Sequence, residues 1–234
     1  MPGTSIIHPA IALSLYISLF VIAGVGWSLI LMGKPRHSRK SGAWVALALG
    51  IAAFLLTLRI QLPLQQELGD WGSQQGLPVL LYGFGQMLIT GLVQESLKLL
   101  AILLPARFST RQQSWLALGI AAGLGFGVWE ACQLVALPLG YLGVLSPLAV
   151  FERVFAIAFH IATSVIMAAG YRRGRMLPYY LVAVISHALL NYLALFFHLG
   201  IVSIAVTEAL IAAFSLLTFA GAYLLRRRIS HAAV

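Results

Sequence analysis

Glu95 and Lys98 occupy one long apolar stretch of this chain, Glu130 the next, His160 a third, and His187 with Asn191 a fourth. A charge at the centre of a membrane-spanning helix costs roughly 2.5–3.5 kcal/mol on insertion scales, so such residues turn inward, pair and mark functional sites. Only 6 residues are Asp or Glu, and Glu95, Glu130, Glu152 and Glu208 fall inside apolar segments. Carboxylate, imidazole and amide groups in a low-dielectric pocket suit the hydrolysis of a peptide bond. That reaction needs a base for water, a stabiliser for the oxyanion and a proton for the leaving amine. A glutamate in such a pocket suits acid–base work. Two histidines and a glutamate with a water also form an accepted catalytic zinc set, so Glu95, His160 and His187 are candidate metal ligands. The His-Glu-x-x-His zinc signature is absent, and the residues favour a metal-free glutamate mechanism, with zinc as the alternative.

The spacing brings these groups together. Glu95 and Lys98 are i, i+3, and His187 and Asn191 are i, i+4, so each pair shares one helix face. Arg153, Ile157, His160 and Ser164 form a stripe along another helix. At 1.5 Å rise per residue, His160, His187 and Glu95 lie about 18 Å below one membrane surface, and Glu130 and Asn191 about 12 Å below it. Arg153 and Glu208 come out at a common depth of about 8–10 Å and are expected to pair. Glu152 and Arg153, as neighbours, are expected to diverge. His198 reads as an interfacial histidine, and His8, His37 and His231 as terminal or loop residues.

The elements that must position these groups are membrane helices. Of the 234 residues 61% are hydrophobic and 9% charged, and mean hydropathy is +0.95, which excludes an ordinary soluble domain. At about 20 residues per span, seven transmembrane helices are predicted near 9–32, 43–61, 78–104, 114–138, 148–170, 178–199 and 201–225. They make one all-α integral membrane domain over residues 1–234, with the motif-bearing core within 78–199. The first helix reads as a retained anchor, not a signal peptide.

Twelve of the 15 Lys and Arg residues fall in alternate links: Lys34, Arg36, Arg39, Lys40; Arg107, Arg111; Arg172, Arg173, Arg175; Arg226, Arg227, Arg228. Positive residues stay cytoplasmic, so the N-terminus is expected outside and the C-terminus inside. The net charge of +9 is then a topology signal with anionic lipid as partner, and no nucleic acid is expected. A single cysteine, Cys132, rules out an internal disulfide or a cysteine zinc site. Gly119, Gly123 and Gly127 are spaced small-xxx-small, which predicts close approach of a neighbouring helix. Gly123-Leu-Gly-Phe-Gly127 has no preceding strand and is not a nucleotide loop.

Four pieces of the chain resemble the motifs of intramembrane proteases of the YhfC and PrsW type, within a wider group that includes the CAAX prenyl endopeptidases. They are Gln94-Glu95-Ser-Leu-Lys98, Phe126-Gly-Val-Trp-Glu130, Glu152-Arg153 followed by His160 and Thr163, and His187-Ala-Leu-Leu-Asn191. They occur in the family's order on four successive helices. The resemblance implies an endopeptidase of membrane-embedded or lipidated substrates in a bacterial or archaeal plasma membrane. Glu95, Glu130, His160, His187 and Asn191 would be its catalytic residues, with Gln94, Lys98, Arg153 and Thr163 in support. Where those families usually carry paired glutamates, the first position here is Gln94, so the base role implied for that glutamate passes to Glu95 or Glu130. A non-catalytic membrane scaffold with the same polar core, and a transporter or proton relay, are the rival classes. No repeat of broken helices in two halves favours transport. A haem ligated by His160 and His187 is a further option, and a rhodopsin is disfavoured because residues 201–225 lack lysine.

Overall fold

The computed structural model describes residues 9–32, 41–108, 115–142 and 147–231. They form seven α-helices: α1 (Pro9–Met32), α2 (Ser41–Gln74), α3 (Val79–Phe108), α4 (Trp115–Leu142), α5 (Pro147–Arg172), α6 (Met176–His198) and α7 (Ile204–His231). There is no strand among the described residues. Each helix is long and apolar enough to cross a membrane, and the chain is an integral, multi-pass membrane protein. Of the positive clusters, Lys34, Arg36, Arg39, Lys40 and Arg111 lie outside the described residues, as do His8 and His37.

Helix α5 is the axis of the bundle. Every residue from Ala156 to Gly170 is buried, as expected of a helix that is apolar nearly all round. Its main neighbours are α4 and α7, while α2 packs on α3 and α4. Leucine, isoleucine and valine on the outer faces of α1, α2, α6 and α7 stay exposed, forming the surface that lipid would cover.

Glycine sets the tightest contacts. A Cβ on Gly123 would stand 2.5 Å from the His160 carbonyl oxygen, and one on Gly119 2.9 Å from that of Ser164. On the opposite side of α4, a Cβ on Gly125 would stand 2.2 Å from the Leu47 carbonyl oxygen of α2. The small-residue stripe therefore does what its spacing predicts, and α4 is pressed between α2 and α5. Gly91 plays the same part between α3 and α6, where a Cβ would meet the Val184 carbonyl oxygen at 2.5 Å.

Helix α2 differs from expectation. The predicted span ends at residue 61, yet α2 runs to Gln74, through Pro63, a residue that normally breaks a helix. Contacts with α3 hold the helix beyond the proline. Gln65 and Gln86 exchange side-chain to backbone hydrogen bonds at 2.9 and 2.8 Å, and Gly72 lets α2 lie against Tyr82. The pair closes in a short turn at Gly76, whose φ of +65° suits a residue without Cβ.

Candidate functional site

Glu95 and Lys98 stand one turn apart on α3, and the Lys98 ammonium lies 2.7 Å from Glu95 Oε1. Both side chains are fully buried. The ammonium also donates to Thr163 Oγ1 at 2.9 Å and meets His160 Nδ1 at 3.2 Å, both on α5. Its three N–H donors thus have three acceptors. Because His160 Nδ1 accepts from an ammonium, its proton belongs on Nε2, which lies 2.5 Å from Glu130 Oε2 on α4. From α6, His187 Nδ1 meets Glu95 Oε1 at 2.6 Å. Glu95 Oε1 is therefore shared by Lys98, His187 and, at 3.4 Å, Thr163.

Four helices contribute to this one cluster, and aromatic side chains wall it. Phe126 lies below Lys98, its ring centre 5.3 Å from the ammonium. Phe159 stands edge-on to His187 at 5.3 Å. The two imidazole rings are 5.3 Å apart. Gly127, one turn before Glu130, lies against the His160 side chain, with 3.1 Å between a Cβ there and the histidine's own.

Among the described residues, Glu95 Oε2 is buried with no partner. His187 donates from Nδ1 in its neutral form, which leaves Nε2 as an acceptor. Glu95, His160 and His187 can present ligand atoms within 4.8 Å of one another. In low dielectric a bare carboxylate oxygen is costly, so Oε2 is the atom that a proton, a water or a cation would satisfy.

Glu95, Lys98, Glu130, His160 and His187 thus converge as their depth and spacing predict, and Thr163, named only through the resemblance, joins them. Asn191, one turn beyond His187, is half-buried and outside the hydrogen-bonded network among the described residues. Gln94 is buried but turns to α2, donating to Gln61 Oε1 at 3.1 Å. Arg153 departs from expectation. Its guanidinium pairs with Glu152, while Glu208 Oε2 is buried without a partner among the described residues. Two long side chains near the start of α5 bend toward each other although their Cβ atoms diverge, and both keep some exposure. The glutamines of the α2–α3 seam escaped sequence reasoning, although the i, i+4 spacing of Gln61 with Gln65 and of Gln86, Thr90 and Gln94 signals a shared face.

The surroundings of Gln94 make a prediction. Gln94→Glu removes the donor to Gln61 and sets a buried carboxylate against the Gln61 amide oxygen, acceptor against acceptor. It should lower folded yield and leave any proteolysis reduced, measured as membrane-extracted protein and as cleavage rate per folded molecule.

Fold and site define the class: a polytopic membrane protein with a buried titratable cluster shared by four spans. Residues 134–212 match the family described as YhfC intramembrane metalloprotease, the family that the motifs resemble. The matched segment carries His160, Thr163, His187 and Asn191, while Glu95, Lys98 and Glu130 precede it. With seven membrane-length helices, the match supports an intramembrane protease. No curated protein and no solved structure matches the chain.

Proposed function

We propose that this chain is an intramembrane endopeptidase that hydrolyses peptide bonds of membrane-embedded or lipidated substrates. The observation that carries the reading is the convergence of two carboxylates, two imidazoles and one ammonium from four helices, with the second oxygen of Glu95 left unpartnered among the described residues. Glu95 Oε2 and His187 Nε2 offer lone pairs suited to hold a water and take its proton. Lys98 is the positive group nearest to them and suits the developing oxyanion. Glu130 fixes the tautomer of His160 and steadies the imidazolium once that ring carries a second proton. Asn191, untied and one turn from His187, is free to donate to a substrate carbonyl. The orientation follows the positive residues, with the N-terminus outside.

The donor set also fits a zinc ion. Glu95, His160 and His187 would hold it, two imidazoles and one carboxylate being a known catalytic set. Two of them already have a free ligand atom, and His160 frees Nδ1 if Lys98 turns away. Bound there, the ion would supply Lewis-acid polarisation and a more acidic water. The matched family's description as a metalloprotease favours the ion. The seat of Lys98, with three acceptors between Glu95 and His160, favours glutamate acting without it.

Elemental analysis of the purified protein separates the two. Zinc bound at a stoichiometry near one per chain, with cleavage lost on chelation and regained on re-addition, makes the protease a metalloenzyme. Full activity in metal-free protein assigns water activation to Glu95.

A further inference from the structure

A second polar system, unused by the hydrolytic cluster, runs along the α2–α3 seam. Phe54, Thr57, Gln61 and Gln65 share one stripe of α2, and Gln86, Thr90 and Gln94 one stripe of α3. Gln61, Gln65, Gln86, Thr90 and Gln94 form a continuous ladder. Gln65 Nε2 donates to Thr90 Oγ1 at 2.7 Å, Gln61 Nε2 to Thr90 Oγ1 and to Gln65 Oε1 at 3.1 Å, and Gln94 Nε2 to Gln61 Oε1 at 3.1 Å. The ladder starts at half-buried Gln65 and Gln86, toward the α2–α3 turn. It ends at Gln94, which is 4% exposed.

The inner end is incomplete. Gln94 Oε1 is buried with no partner, and so is Nε1 of Trp129 on α4. Trp129 packs against Ala53, Phe54 and Phe126, as does Leu97, which follows Gln94 by three residues on the same face of α3. One orphaned acceptor and one orphaned donor therefore border the same α2–α3–α4 junction. They belong to the residues immediately before Glu95 and Glu130. Leaving a buried polar group unpaired costs about 1–3 kcal/mol, and buried water with two to four polar partners is the common remedy.

We propose that the α2–α3 seam is the route by which water reaches the buried cluster, and that Gln94 and Trp129 bind the water at its inner end. Each amide and hydroxyl of the ladder can trade its protein partner for water at little cost, because the two bonds are nearly equal in enthalpy. Hydrolysis consumes a water at each turnover, and the surrounding hydrocarbon offers none. The use made of this water rests on the endopeptidase reading; its presence in the seam does not.

Radiolytic hydroxyl-radical footprinting of the unaltered protein in nanodiscs tests it, because side chains beside bound water are oxidised first. Trp27 is the internal reference: it is also half-buried, but its Nε1 donates to the Val154 carbonyl oxygen at 3.1 Å. Trp129 should be oxidised several-fold faster than Trp27, and Gln61→Leu should bring the two rates together at an unchanged melting temperature. Thr90→Val serves if the leucine variant does not fold. Equal rates in the unaltered protein, or a Trp129 rate indifferent to both substitutions, would overturn the route. A slow Trp129 in a protein that cleaves sinks the route alone, and a fast one in a protein that does not cleave sinks the protease alone.

Discussion

Glu95→Gln, His160→Ala and His187→Ala should each abolish the proposed proteolysis while leaving the protein folded in the membrane. Each removes a group that no other side chain of the cluster replaces. Glu95 carries the free carboxylate oxygen, His187 the free ring nitrogen, and His160 links Glu130 to Lys98. Loss of a positioned acid or base costs about 10²–10⁴ in rate. Glu130 acts on the site through His160, so Glu130→Gln should cost less, on the order of 10–100-fold as for partners that orient a ligand or base. Initial cleavage rates of a single-span peptide in liposomes, normalised to folded protein, give the comparison. A Glu130→Gln variant as inert as Glu95→Gln would move the base role to Glu130.

Gly123→Ala should be among the more damaging single-methyl changes in the bundle, and the one that bears on the cluster. The new Cβ would lie 2.5 Å from the His160 carbonyl oxygen and 2.6 Å from the Ile161 Cα. Those atoms are backbone in the middle of buried α5 and cannot rotate aside, so α4 and α5 must separate. Overpacking of this kind costs about 1–3 kcal/mol, occasionally more. The same shift would pull His160 away from Glu130 and Lys98. Gly26→Ala is the control, since a Cβ there meets nothing within 4 Å, and it should gain up to about 1 kcal/mol in helix propensity. Thermal unfolding of both variants in one detergent should rank Gly123→Ala well below the parent and Gly26→Ala at or above it.

Helix number and the layer of the cluster were legible because each rests on a fixed quantity: the length needed to cross hydrocarbon and the rise per residue. Counting depth alone puts Glu95, His160 and His187 at one level, and they meet there. Partner choice was less legible. Arg153 and Glu208 share a depth, yet flexible side chains let Arg153 turn to its sequence neighbour Glu152. Asn191 shares a face with His187, but one helical turn carries it along the axis and away from the network. The end of α2 lies beyond the predicted span because residues 61–74 are polar and carry Pro63, whereas the hydrogen bonds across to Gln86 and the packing of Gly72 on Tyr82 that hold them helical are tertiary. Gln94, odd beside the paired glutamates of similar proteins, makes sense once Gln61 is seen opposite it.

If the buried cluster hydrolyses peptide bonds inside a bilayer, an oxygen of water must enter a product. Mass spectrometry of purified protein reconstituted with a single-span substrate, in water enriched in the heavy oxygen isotope, reads that oxygen. Two fragments should form, with the heavy oxygen in the new C-terminal carboxylate, and neither should form with Glu95→Gln. Uncleaved substrate with the unaltered, folded protein across a panel of single-span and lipidated substrates, or undiminished cleavage with Glu95→Gln, would contradict it.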